Sequence, residues 1–161
     1  MKREIKFRAW DKKHNCWDDD FAIHADGCLY QPAKARWDIS DIAVETAYDE
    51  LEIMQFTGLK DKNDKEIYDS DILRIQYFKI VGGKNLGVSE VDAELVGVVE
   101  ITPLALVLKN IIGEKWCEYT GYEQGEGYCK VFHLHDVYEG SSDAEYQIEV
   151  IGNIYSNPEL L

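Results

Sequence analysis

The chain has little proline, no closely spaced cysteine pair, few basic residues after its first thirteen positions, and no long apolar run. Three prolines in 161 residues leave most of the backbone open to regular pairing. The four cysteines, Cys16, Cys28, Cys117 and Cys129, form no C-x-x-C motif. Two of the gaps are equal, twelve residues each, which invites two disulfide-closed hairpins or a shared metal site. Structural zinc sites bring their ligands in close pairs, and cytosolic thiols stay reduced, so the plainer expectation is four reduced and mostly packed thiols. No apolar stretch has the length to cross a bilayer. The start, Met1-Lys2-Arg3-Glu4-Ile5-Lys6-Phe7, has basic residues but no apolar segment of a secretory signal behind them. A cytoplasmic protein that binds no membrane is the expectation.

Positive charge is scarce overall and unevenly placed. Against 31 acidic residues stand 17 basic ones, for a net charge of −14. Residues 1–13 hold six of the basic residues and two of the acidic ones, a local balance of +4. The remaining 148 residues carry −18. A body so acidic repels phosphate backbones, which disfavours general nucleic-acid binding. The basic arm would pair with the protein's own acidic strands or with the acidic face of a neighbouring subunit. In the simplest reading it is one strand with a charged solvent face.

What is present is β-forming. Hydrophobic residues make up 45% and aromatics 12%, too many for a disordered chain. Ile5, Phe7 and Ala9 alternate with Lys6, Arg8 and Trp10, which predicts a strand with Ile5, Phe7 and Ala9 buried. Asp11 to Asn15 reads as a turn, and residues 4–23 as a hairpin. Residues 25–50 hold turn signals at Asp26-Gly27 and Gln31-Pro32, and a short helix through Glu45–Ala47 capped by Ser40 or Asp41. Strands are predicted at Leu51–Phe56, ended by Thr57-Gly58, and at Glu66–Tyr68, Ile72–Phe78, Val91–Ile101, Ala105–Leu108, Tyr128–Asp136 and Tyr146–Val150, the last broken by Gly152-Asn153. Asn157-Pro158-Glu159 caps a closing turn. The fold class predicted is mainly β: a small barrel, SH3-like or similar, of short antiparallel strands with an N-terminal hairpin and little helix. One domain, 1–161, is expected, with a subdivision at 1–50 and 51–161 as the variant.

The candidate chemistry is thin. Gly82-Gly83-Lys84-Asn85-Leu86-Gly87 lacks the Gly-Lys-Ser/Thr and the helix of a phosphate-binding loop. Asp61 to Ile72 lacks the Gly at position six and the Glu at position twelve of a calcium loop. His133 and His135 would share one face of a strand, as two ligands of a metal do, but no second ligand pair is spaced to match. Asp69 and Asp71 would serve as paired carboxylates, or else bond the backbone of a tight corner. Tyr119, Tyr122 and Tyr128, with Glu123 and Glu126 among glycines, compose a candidate binding loop. No cofactor is implied. Thr57, Gly58, Asp61, Asn63, Asp64, Asp69, Ser70, Asp71, Gly152 and Asn153 read as corner residues of a β-fold.

Three stretches, Glu4–Asp11, Met54–Asn63 and Glu149–Leu161, in this order, resemble the YopX family. The resemblance covers both ends and the centre and leaves 17–50 and 80–145 largely unmatched. It implies a phage or prophage protein, chiefly of Gram-positive hosts, mainly β and barrel-like, with no assigned activity and no catalytic residues to carry over. The family's two turns commonly hold Gly where Asp64 and Ser70 stand here. If both positions need positive φ, each costs up to about 1 kcal/mol; type I turns would avoid it. The leading functional expectation is a non-enzymatic module that binds itself or a host or phage protein. The alternatives are an acidic DNA mimic or anti-defence protein directed at a host nucleic-acid-binding protein, and a metal-dependent enzyme using His133 and His135.

Overall fold

The alternation of the strand after Asp71 organises the larger part of the chain. A computed structural model describes residues 4–18, 21–23, 29–30, 50–81, 88–112, 132–133 and 144–161. These fall into two compact units, one of residues 6–55 and the other of residues 56–161 with the first five residues. Among the described residues regular structure is mainly β, with one closing 3-10 turn at Pro158–Leu160, and no helix is long and apolar enough to cross a membrane.

In the larger unit, β7 (Asp71–Val81) is flanked by β8 (Val88–Ile101) and β11 (Ala144–Asn153). With β9 (Leu106–Ile112) and β10 (Phe132–His133) they make an antiparallel sheet of order β10-β9-β8-β7-β11, curled into half a barrel. The mainly β class is therefore as predicted, but β7, β8 and β11 run 11, 14 and 10 residues, longer than the short strands expected. Register explains the core. Ile75 faces Leu95 on one side and Ile148 on the other, and Leu73 faces Val150. These residues are buried with Ile67, Val99 and Leu108 in one cluster. Each such aliphatic side chain stabilises the fold by about 1.5–3 kcal/mol. Arg74 and Gln76, at the intervening positions, stay partly exposed, so from Leu73 to Gln76 burial alternates with the period of a strand. Register shifts at Tyr77/Phe78, Val96/Val98 and Val150/Gly152 add local twist to the sheet.

Two predicted strand ends are instead irregularities inside longer strands. β5 (Leu51–Lys60) continues past Thr57-Gly58, because Gly58 takes φ +90° and lets the chain kink without leaving the ladder. Its second half pairs with β6 (Glu66–Tyr68) through Phe56–Tyr68 and Lys60–Glu66, out of step between them. Thr57 Oγ1 stabilises the kink, donating to the Ile67 carbonyl at 2.7 Å and accepting from the Leu59 N–H at 3.1 Å. Gly152 likewise lies inside β11, where the bulge carries the strand on to Asn153. There a Cβ would meet Leu160 Cδ1 at 2.7 Å and Asn157 Cβ at 3.0 Å, so a larger residue would require the Leu160 side chain and the closing turn to shift.

In the smaller unit, β1 (Phe7–Asp11) lies between β2 (Cys16–Asp18) and the first half of β5, antiparallel to both. The N-terminal hairpin is present but shorter than predicted, since β3 (Ala22–Ile23) pairs with β4 (Leu29–Tyr30). The predicted buried face of β1 is corrected. Ala9 is buried, but Ile5 is 66% exposed and Phe7 39%, whereas Trp10, expected outside, is buried. The reason is the cross-strand pair Trp10–Trp17, stacked edge-to-face at 5.0 Å, with the Arg8 guanidinium 4.5 Å above Trp17. Lys12 pairs with Glu52 at 2.8 Å and Lys13 with Glu50 at 3.4 Å, so this end of the basic arm meets the chain's own acids. The Gly82–Gly87 loop, the helix near Glu45–Ala47 and the tract Trp116–Tyr128 lie outside the described residues.

Candidate functional site

The polar residues of the central stretch form two corners in the larger unit, each built around aspartate. At the first, Asp61 follows β5 and its carboxylate closes the turn into β6. Oδ1 accepts the N–H groups of Asn63 at 2.7 Å and Lys65 at 3.0 Å. Oδ2 accepts the N–H of Val150, 89 residues away, at 3.1 Å. Lys62 adds two contacts to the same strand: its N–H donates to the Ile148 carbonyl at 2.9 Å, and its Nζ lies 3.0 Å from Glu149 Oε2. Burial pushes the Asp61 carboxyl upward, but the N–H groups of Val150, Asn63 and Lys65, helped by the Lys65 charge, outweigh it. The group is held below the ordinary carboxylate value of 3.8. Asp64 completes the turn at φ +63°, its N–H donating to the Asp61 carbonyl at 3.0 Å.

At the second corner Asp69, Ser70 and Asp71 point to three different places. Asp69 Oδ1 accepts the Ile101 N–H at 2.8 Å. Asp71, 1% exposed, accepts the Tyr68 N–H at 2.9 Å through Oδ2 and faces Asn153 Nδ2 at 3.3 Å through Oδ1. Ser70 sits at φ +66°; its N–H donates to the Val99 carbonyl at 2.9 Å and its carbonyl accepts from Ile154 N–H at 3.1 Å. Asn153 also bonds the Ser70 carbonyl through Nδ2 at 2.9 Å and accepts the Tyr155 N–H at 3.0 Å. Both positions that hold Gly in the resembling pattern thus take left-handed backbone; at the first, Asp64 directly follows a turn whose central residues Lys62 and Asn63 keep negative φ, closed by the Asp64 N–H on the Asp61 carbonyl.

Chemically, these corners satisfy buried donors. A paired-carboxylate site needs two oxygens aimed at one volume, whereas Asp69 and Asp71 aim at separate amides. Among the described residues no group of three His, Cys, Asp or Glu is placed to hold a metal ion. His133 falls on β10, but its side chain and all of His135 lie outside the described residues, as do Tyr119, Tyr122, Glu123, Glu126 and Tyr128. Cys16 is an exposed free thiol, and Cys28, Cys117 and Cys129 lie outside the described residues.

Three features are not announced by the sequence pattern. His14 and Asp11 clasp the first turn: His14 N–H donates to Asp11 Oδ1 at 2.9 Å, and its Nδ1 lies 2.6 Å from Oδ2. The His14 side-chain bond, then its N–H, hold the Asp11 carboxyl below the usual range. The available signal is local, an Asp three residues before a His with Asn15 next, which takes φ +54°. The Arg8–Trp17–Trp10 stack is legible only once β1 and β2 are in register. Leu104, at the tip of the β8–β9 turn, is 97% exposed, on a turn fixed by Thr102 Oγ1, which donates to the Ala105 carbonyl and accepts its N–H.

No curated protein matches the chain. Among solved structures, the crystal structure of protein EF1440 from Enterococcus faecalis is similar at 22% identity, with 99% of each chain covered and a TM-score of 0.47. The family model described as YopX protein matches residues 6–161, nearly the whole chain, and the chain therefore belongs to the YopX family.

Proposed function

We propose that this protein is a non-enzymatic, self-associating interaction module of phage or prophage origin, acting in the cytoplasm of a bacterial host. The observation that carries the reading is the end of the five-stranded sheet. There, among the described residues, β11 is the last strand, ten residues long, its outer side covered at Ile148 and Val150 by the Asp61–Lys62 turn, and the end strand is the part of a sheet that accepts another chain. The corners support it from the other side: their carboxylates hold backbone amides rather than facing a common cleft. The acidic-mimic reading is weakened by the pairing of Glu52, Glu94, Glu100 and Glu149 with Lys12, Arg74, Lys109 and Lys62, which breaks up a continuous carboxylate stripe.

Size-exclusion chromatography with light scattering over a micromolar concentration series tests the proposal. A mass that climbs above 18.5 kDa with concentration supports it, and a strict monomer throughout overturns it. An affinity pull-down from prophage-induced cells then separates a homotypic partner from a host or phage protein.

A further inference from the structure

The two contacts that Asp61 and Lys62 make on β11 lie on the side away from β7. β11 pairs with β7 in the register Ile148–Ile75 and Val150–Leu73. The Ile148 carbonyl and the Val150 N–H point outward from this ladder; the carbonyl accepts the Lys62 N–H, and the Val150 N–H donates to Asp61 Oδ2. A side chain and one amide of the β5–β6 turn therefore stand where the next strand of the sheet would lie. The Lys62–Glu149 ion pair fastens the same strap from the surface. Natural sheets block their edges in this manner, with charge and a covering loop.

We propose that the Asp61–Lys62 strap gates a strand-addition site on β11 whose occupant is the β11 of a second copy of this chain. The inference rests on the self-association proposed above and names its surface. The occupant is argued from the strand's own sequence. Antiparallel pairing of β11 with itself must set outward-pointing residues opposite one another, as Ile148 and Val150 are. Centred on Ile148, the register places Ile148 opposite the second copy's Ile148, Tyr146 opposite Val150, and Gln147 opposite Glu149. These are a branched-aliphatic pair, an aromatic with a β-branched residue, and an amide with a carboxylate, all favourable across a ladder. Sliding the pair by one step either way sets Glu149 against Glu149 or against Glu145, and like charges directly opposite are unfavourable. The central register is thus self-complementary and two-fold symmetric, as a closed dimer requires. Strap and second copy compete for the same carbonyl and N–H, so one excludes the other.

Two sets of variants test this by sedimentation velocity, with circular dichroism to check folding. Asp61→Ala removes the acceptor from Val150 and leaves the strap held on β11 by Lys62; dimerisation should tighten about tenfold. Gln147→Lys places a cation opposite Glu149 twice per dimer, and Gln147→Glu a second anion. The first should tighten and the second weaken association by severalfold, in the wild-type chain as well as with Asp61→Ala. The Gln147 pair keeps the test valid if Asp61→Ala does not fold. A folded Asp61→Ala chain that associates no better than wild type overturns the gate. Association insensitive to Gln147 charge overturns this surface and leaves self-association standing. No association in any chain overturns both.

Discussion

Asp64 and Ser70 carry the most local prediction. Both hold left-handed backbone, at φ +63° and +66°, in a chain whose other β-corner bonds depend on their geometry. A residue with a Cβ strains by about 1–2 kcal/mol in this region, with Asp near the lower end. Glycine carries no such strain but gains freedom in the unfolded chain, which offsets about 0.4–1 kcal/mol. Asp64→Gly should therefore lie within about 0.5 kcal/mol of wild type or above it. Asp64→Ala keeps the strain and loses the tolerance of left-handed backbone that aspartate has over alanine, and should fall about 1 kcal/mol below the glycine variant. Asp64 is exposed, so no core contact confuses the comparison. Ser70→Gly against Ser70→Ala should show the same order, since the Val99 and Ile154 bonds use only the Ser70 backbone. Urea unfolding measures the difference directly, and in a chain of this size about 1 kcal/mol shifts Tm by about 2–4 °C. In an ordinary strand or helix alanine is the more stable of the two. An alanine variant as stable as its glycine counterpart, at either position, would refute the left-handed corners.

Other substitutions probe the remaining contacts. Gly152→Ala should lose about 1–3 kcal/mol by overpacking, with Gly152→Ala/Leu160→Ala recovering part of it in thermal unfolding, since the Asn157 contact remains. Trp17→Ala should lose about 1–2 kcal/mol from the ring pair with Trp10 and the Arg8 contact, together with the near-ultraviolet circular dichroism of the coupled indoles. Thr57→Val should weaken the β5 kink by about 1 kcal/mol, seen as faster exchange of the Leu59 amide.

Which of these contacts the sequence can announce follows from their reach. Leu73, Ile75 and Arg74 declare their faces by a period of two, and the burial of β7 follows it. Asp61 to Lys65 declare a turn because its bonds close within four residues. Gly58 and Gly152 read as strand ends because glycine marks breaks and bulges alike; only the partner strand tells them apart. Trp10 reads as outward-facing from alternation alone, because its cover, Trp17, is contributed across the hairpin. The link from Asp61 to Val150 spans 89 residues and has no local signature. The family resemblance is legible for a different reason: it lies in the corner residues themselves, where side chain and backbone conformation are tied together.

The central claim is that the aspartates of the middle stretch hold the fold by accepting backbone amides. The most direct measurement is the stability of wild type and Asp61→Asn as a function of pH. The substituted amide would keep one carbonyl oxygen for Asn63 and Lys65 but turn its NH₂ toward the Val150 N–H, for a loss of about 1–3 kcal/mol at neutral pH. The Asp61 carboxyl is lowered in the folded chain, so its contribution is full above the unfolded value of 3.8 and disappears as pH falls through the lower folded value. The expected result is a constant gap between the two proteins above about pH 5 that closes in acid below it. Curves that coincide at neutral pH, or that stay parallel down into acid, would contradict the claim.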